Sequence, residues 1–254
     1  MRGLAGKHVI VTGSGSGIGR EIACRFAEEG SEVALFDMNG DGAAETLRLI
    51  EEKGGKGAVY TVDITDRAAV DRAVAAAEKV RPIDVLVNNA GWDRMVSFLD
   101  SDVELWKKVI DINLYGPLHM HHAVLPGMVK NGGGRVVNIS SDAGRVGSSG
   151  EAVYSACKGG LIAFSKTVAR ELARSGITLN NVCPGPTDTP LFAGIAGGGA
   201  GADRITEALK KAIPMRRLAQ PTDYPGIVCF LASDDAGFIT GQTISVSGGL
   251  TMHG

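Results

Sequence analysis

The sequence predicts an α/β fold, a doubly wound parallel seven-stranded sheet with helices on both faces. Three observations carry that expectation. Short apolar runs alternate with longer amphipathic stretches, a pattern that calls for crossover helices between parallel strands. Many of the 36 glycines fall where a strand hands over to a helix. The first handover, "VIVTGSGSGIGREIACRF", has the glycine-rich form that an open parallel sheet uses to hold a phosphate against a helix N-terminus.

Taken in chain order, strands are expected near 7–12, 32–37, 57–62, 83–87, 134–140, 177–183 and 242–246. Helices fill the gaps at 17–30, 41–53, 66–80, 101–131 (broken near Asn113), 152–175 and 222–232. The patch "AGIAGGGAGAD" (193–203) reads as a flexible loop inside the domain rather than a linker, and no internal repeat is found. A chain of 254 residues, 44% hydrophobic and 21% charged, suits one domain spanning 1–254 with a sizeable core.

Charge and composition exclude several classes of function. The formal charge is −2 and no long basic run appears, so neither a nucleic-acid nor a membrane partner is expected. The N-terminal "MRGLAGKHVIVTG" has no long apolar stretch or cleavage site, and Cys24, Cys157, Cys183 and Cys229 lack metal or redox spacing. A cytoplasmic location with reduced thiols is expected. His119, His121 and His122 have no cluster of carboxylates or cysteines to complete a metal site, so no metal is expected and they read as structural or interface residues.

In the glycine turn, Gly13, Gly17 and Gly19 would let the backbone approach a pyrophosphate, with Ser16 and Ile18 between them. The second strand closes with Asp37, 18 positions after Gly19. A carboxylate there can accept both ribose hydroxyls of an adenosine and repel a 2′-phosphate; it can equally cap the helix that follows. Ser16, Met38 and Asn39 carry no positive charge, which favours NAD over NADP. Asp63 and Ile64 end the third strand, where an adenine would lie, and "VLVNNAG" brings Asn89, Ala90 and Gly91 alongside the dinucleotide.

"TGSGSGIG", "NNAG", "DINLYG", "VVNISSDAG", "YSACK", "PGPTDTP" and "GQTISVSGG" occur in that order over essentially the whole chain. In this the sequence resembles the short-chain dehydrogenase/reductase family, which implies a Rossmann fold and nicotinamide-dependent oxidation of secondary alcohols or its reverse. The resemblance carries over as catalytic Asn113, Ser141, Tyr154 and Lys158, with Ser141 chosen because it lies thirteen positions before the tyrosine. Asn113 would bend its helix and hold a water linked to Lys158, and Lys158 would bond the nicotinamide ribose. In "PGPTDTP", Thr187 and Thr189 would bond the nicotinamide amide, while Pro184, Gly185 and Pro186 form the turn. The family also implies a homotetramer, built on the helices at 101–131 and 152–175 and on the final strand.

The residue types explain part of this directly. Tyr154 and Lys158 are four apart, hence neighbours on one helix face. An ammonium about 5 Å from a phenol, at an effective dielectric of about 20, favours phenolate by roughly 3 kcal/mol, about two pK units. That brings a tyrosine near neutrality, where a general base works best. Ser141 would hydrogen-bond the substrate oxygen. Cys157, with no base partner in view, reads as a packed thiol.

The substrate is read from less. "NNAGWD", "LHMHHAVLPGM", "RVGSSGEAVY", "CPGPTDT" and "SDDAGFITGQ" resemble the NAD-dependent branch of the family that oxidises 2-hydroxycyclohexanecarboxyl-CoA in cyclohexanecarboxylate degradation. That likeness implies an acyl-CoA thioester substrate, with Trp92, Asp93 and Arg145 shaping its pocket. The segment 188–217 would serve as the substrate loop, its Arg204, Lys210, Lys211, Arg216 and Arg217 near the CoA phosphates. Two other readings stand beside it: a 3-oxoacyl-thioester reductase using NADPH, which Asp37 opposes, and a non-catalytic dinucleotide sensor, which Ser141, Tyr154 and Lys158 oppose.

Overall fold

The computed structural model describes residues 1–192 and 200–252. Strands β1 (His8–Thr12), β2 (Glu32–Asp37), β3 (Lys56–Thr61), β4 (Val85–Asn88), β5 (Gly134–Ile139), β6 (Ile177–Pro184) and β7 (Thr243–Val246) form one sheet in the order β3-β2-β1-β4-β5-β6-β7. Every pairing is parallel. Parallel strands are covered on both faces, so they read as unbroken apolar runs, and all five residues of β1 are buried. The pleat sends Val9 and Val11 to one core with Phe26 and Val228, and Ile10 to the other with Val70 and Met120. Helices α1 (Gly17–Glu28), α2 (Gly40–Glu52) and α9 (Pro225–Ala232) contribute to the first core; α3 (Arg67–Val80), α5 (Gly116–Lys130) and α7 (Ala152–Leu172) contribute to the second.

Short polar residues start the helices where the sequence places them. Asn39 accepts from Gly42 N at 3.1 Å, Asp66 from Ala69 N at 3.0 Å, and Asp102 from Leu105 N at 2.7 Å at the head of α4 (Val103–Ile110). The long stretch expected to break near Asn113 does not break. A single wide turn, Asp111–Tyr115, with π-helical bonding joins α4 to α5 and carries the buried Asn113. A short α6 (Ala143–Val146) follows β5, where the sequence pattern shows no helix. Residues 193–199 of the expected loop lie outside the described residues, and α8 (Ala200–Ala212) takes the remainder as helix.

Below the C-terminal edge of the sheet, one register row is polar: Asn88 pairs with Asn138, Asn138 with Asn181 and Asn181 with Thr243. Their side chains form a chain of hydrogen bonds. Asn88 Nδ2 donates to Asn138 Oδ1 (2.9 Å), Asn138 Nδ2 to Ser165 Oγ (2.9 Å), and Ser165 Oγ to Asn181 Oδ1 (2.8 Å). The row ties β4, β5 and β6 to α7 directly beneath the strand ends that carry the candidate site.

Candidate active site

The sheet order reverses between β1 and β4, and helices leave those strands on opposite faces. At such a point the strand ends open into a crevice. Here it is a cavity of about 1170 Å³, and every residue assigned to a cofactor from the sequence lines it, from Gly13 in the first turn to Thr189 after β6.

The glycine turn is shaped for close approach. Gly13 adopts φ +65° and Gly17 φ +53°, both in the left-handed region that favours glycine. A Cβ on Gly19 would stand 2.0 Å from Gly13 O, so helix and strand could not pack as they do. Ser16, extended at φ −161° ahead of α1, makes no side-chain cap, and Ser16, Gly17 and Ile18 all border the cavity. The positive end of the helix is therefore left uncapped toward an incoming anion. Asn89 secures the turn from the other side, donating to Thr12 O (3.0 Å) and Gly13 O (3.1 Å), while Thr12 Oγ1 accepts from the amides of Asn89 and Ala90.

Asp37 does not cap α2; Asn39 does. The Asp37 carboxylate instead accepts from Gly15 N (2.7 Å) and Asn39 N (2.8 Å), which fixes it at the cavity wall with acceptor capacity remaining on both oxygens. Arg20, which the sequence pattern does not single out, is the nearest cation in the turn. Its guanidinium is spent on Thr46 Oγ1 at 3.0 Å and on the carbonyls of Gly15 and Gly42. Asp63 Oδ1 accepts from Thr65 N and Oγ1, and Ile64 offers a buried apolar face beside it. Uncapped helix amides, a fixed carboxylate and an apolar strand end are the chemistry that a nicotinamide adenine dinucleotide requires, and the residues present fit it.

At the other end of the cavity Ser141, Tyr154 and Lys158 converge. Tyr154 and Lys158 project from the first turns of α7, with Lys158 Nζ 5.5 Å from the centroid of the Tyr154 ring and donating to Ile139 O at 3.0 Å. Ser140 is buried and donates to Lys158 O (2.9 Å). Ser141 accepts from Ala143 N (3.1 Å), and its hydroxyl acts to lower the Tyr154 phenol. Asn113 clamps the β4–α4 loop by accepting from Trp92 N (3.2 Å) and donating to Trp92 O (2.6 Å) and Val109 O (2.9 Å). A Cβ on Gly91 would lie 3.0 Å from Asn113 Oδ1 and 3.5 Å from Lys158 Nζ, so the missing side chain leaves room between the amide and the ammonium.

The electrostatics correct the simple two-residue account. Burial pushes the Tyr154 phenol above its ordinary range, Glu151 and Asp93 add to that, and the Ser141 hydrogen bond opposes it. Burial also lowers Lys158 to about 8. The surroundings of the phenol therefore favour its protonated form. Cys157 is pushed up to about 11 by burial, as suits a packed thiol.

Some expected residues turn elsewhere. Arg145 donates to Ser245 Oγ (2.9 Å) rather than lining the cavity. Trp92 does line it, beneath Lys108 Nζ at 3.8 Å from the ring centroid, whereas Asp93 is buried behind the wall. Thr189 faces the cavity, but the Thr187 hydroxyl is engaged with Gly185 O (2.8 Å) and Tyr224 Oη (2.6 Å). The basic residues of 204–217 do not reach the site. Arg217 pairs with Asp223, Lys210 with Glu207, and Arg216 donates to Lys211 O; Arg204 and Lys211 are exposed. Among the described residues, the cations on the cavity wall are Lys107, Lys108 and Lys158. The three histidines are held separately: His119 by Ile64 O, His121 by Pro117 O, and His122 by Arg67.

Comparison with known proteins agrees with this fold. A family model described as enoyl-(acyl carrier protein) reductase matches residues 13–251. A (3R)-3-hydroxyacyl-CoA dehydrogenase of Rattus norvegicus is 38% identical, over 96% of this chain and 95% of its own. A 3-oxoacyl-[acyl-carrier-protein] reductase, FabG, of Thermotoga maritima is 35% identical, over 98% and 99%. The crystal structure of a single-residue variant of the actinorhodin polyketide ketoreductase with NADPH superposes with a TM-score of 0.91 at 34% identity, covering 100% of both chains.

Proposed function

The chain belongs to the short-chain dehydrogenase/reductase family of oxidoreductases, and within it we propose an NAD-dependent dehydrogenase that oxidises the secondary alcohol of a hydroxyacyl thioester. One observation carries this reading: Ser141, Tyr154 and Lys158 stand at one end of a cavity whose other end is marked by the Asp37 carboxylate. When bound, oxidised NAD supplies the hydride acceptor and a positively charged ring. The chain supplies the rest. Ser141 donates a hydrogen bond to the substrate oxygen, Tyr154 Oη takes the hydroxyl proton, and Lys158 favours the phenolate and orients the cofactor ribose. Asn113 holds the loop that closes the site and spaces Lys158 from it.

Asp37 favours NAD, because a 2′-phosphate would meet a carboxylate with both oxygens already fixed in place. The names of the relatives support an acyl substrate, and 2-hydroxycyclohexanecarboxyl-CoA, with its hydroxyl β to the thioester, is the candidate favoured by the sequence likeness. Lys107 and Lys108 on the wall are better placed for the CoA phosphates than the basic residues of 204–217. The reading extends to one domain over 1–254 with 188–217 as substrate loop, to a homotetramer, and to a cytoplasmic location consistent with four free thiols. A second reading, 3-oxoacyl-thioester reduction with NADPH, is supported by the names of the FabG relative and the NADPH-bound ketoreductase.

The test is a panel of hydroxyacyl-CoA thioesters, free hydroxy acids and simple alcohols, assayed with both cofactors in both directions. Thioester oxidation with NAD should dominate. Preferential NADPH-linked reduction would select the second reading.

A further inference from the structure

Asp37 can tell one dinucleotide from another only while its carboxylate is held in place, and the residues that hold it lie behind the cavity wall. Gly15 N donates to Asp37 Oδ2 at 2.7 Å. The aim of that N–H is the aim of the Ser14–Gly15 peptide plane, because the peptide is rigid. The same plane is gripped at its other edge, where Thr46 Oγ1, on α2, donates to Ser14 O at 2.8 Å. Thr46 is fully buried and lies 32 positions along the chain from the carbonyl it holds.

Thr46 has one hydroxyl proton and two carbonyls within reach, Ser14 O and, at 3.1 Å, Gly42 O. Arg20 decides between them. Its guanidinium donates through Nε to Thr46 Oγ1 at 3.0 Å, and through Nη2 to Gly42 O at 3.3 Å and to Gly15 O. Gly42 O is thereby served by a cation, and the hydroxyl, accepting from Nε, gives its proton to Ser14 O. The hydrogen bonds run from Arg20 to Thr46, to the Ser14–Gly15 peptide and on to Asp37, each polarising the next. The space is as closely fitted: a Cβ on Gly15 would stand 2.9 Å from Asp37 Oδ2, and one on Gly42 3.0 Å from Gly15 O.

We infer that Thr46, oriented by Arg20, is the positioning residue for Asp37, and so for the choice between a free ribose 2′-hydroxyl and a 2′-phosphate. This rests on the NAD reading and names what makes the carboxylate selective. Arg20 and Thr46 stand outside the cavity lining, so they reach a cofactor through Asp37. With the peptide free to tilt, Asp37 keeps only the Asn39 amide at 2.8 Å and can swing about it. The ribose then loses a fixed acceptor, and a 2′-phosphate meets a charge that moves aside.

The test is equilibrium titration with NADH and with NADPH, read by nicotinamide fluorescence, which needs no turnover. The wild-type chain should bind NADH more tightly by about a hundredfold. Thr46→Val keeps the shape and removes the hydroxyl, and should cut that ratio about tenfold. Thr46→Ser keeps the hydroxyl and should hold the ratio within about threefold of wild type. Arg20→Met should also cut it about tenfold, because the hydroxyl can then turn to Gly42 O. Gly15→Ala crowds Asp37 Oδ2 and leaves the clamp in place, so it should lower the ratio with little change in Tm. The Arg20 and Gly15 variants carry the test where Thr46→Val does not fold. In an Asp37→Ser background, Thr46→Val should leave the ratio where Asp37→Ser alone puts it. A merely structural role would weaken both cofactors alike with the ratio intact, and an independent one would add to Asp37→Ser. Either result overturns the inference while the NAD reading stands. A wild-type chain that binds NADPH as tightly as NADH overturns both.

Discussion

Lys158 Nζ lies 5.5 Å from the centroid of the Tyr154 ring, inside a wall that leaves the lysine 2% exposed. Burying an ammonium with a carbonyl as its hydrogen-bond acceptor among the described residues destabilises the fold, which is the kind of strain that active sites retain for chemistry. Lys158→Met should abolish turnover and yet stabilise the cofactor-free protein. The depression from 10.5 to about 8 corresponds to about 3 kcal/mol. Allowing for the lost bond to Ile139 O, a gain of about 2 kcal/mol or about 5 °C in Tm is expected. The sign follows from proton counts. Between about 8 and 10.5 the unfolded wild-type chain binds more protons than the folded one, so wild-type stability rises with pH there and the variant's advantage shrinks. Thermal melts of both chains at about pH 7 and pH 10 check this.

Because burial raises Tyr154 and the Ser141 hydrogen bond opposes it, the oxidative rate should climb with pH through the neutral range. Ser141→Ala removes the opposing bond and the donor to the substrate oxygen together. Its rising limb should move to higher pH, and kcat should fall about a hundredfold. A pH profile of the same shape and position as wild type would show that the serine does not act on the phenol.

Asp37 accounts for cofactor choice by repulsion and by ribose contacts. Asp37→Ser should shift the ratio of kcat/KM for NAD over NADP toward NADP by about a hundredfold. An unchanged ratio in steady-state assays would place the discrimination elsewhere.

The alternation of apolar runs and the glycine turn are enough to read the parallel sheet and the cofactor end of the cavity, since both follow from local residue types. What is not legible depends on contacts distant in sequence. The wide turn at Asp111–Tyr115 is held by Asn113 reaching Trp92, 21 positions away. Arg145 meets Ser245 across 100 positions, and the basic residues of 204–217 find partners of their own instead of the site. Lys107 and Lys108 look like ordinary helix surface. The spacing of Tyr154 puts it beside Lys158, but the burial that raises its phenol comes from contacts distant in sequence.

The amide row beneath the site should be a stability element. Asn138→Ala leaves the buried Asn88 amide only its 3.4 Å contact with the His121 ring and removes one partner of Ser165. A loss of about 2–3 kcal/mol is expected by chemical denaturation, without a change in the denaturant slope. A loss below about 0.5 kcal/mol would mean that the row is hydrated or rearranges freely.

The central claim is that Tyr154 performs proton transfer in a site that also binds NAD. Tyr154→Phe keeps the ring and removes the hydroxyl, so turnover of a hydroxyacyl-CoA thioester and cofactor titration by fluorescence, measured on the same preparation, test it most directly. A loss of about a thousandfold or more in kcat, with NAD affinity within about threefold of wild type, is predicted. Turnover within about tenfold of wild type, or no NAD binding by either chain, would contradict it.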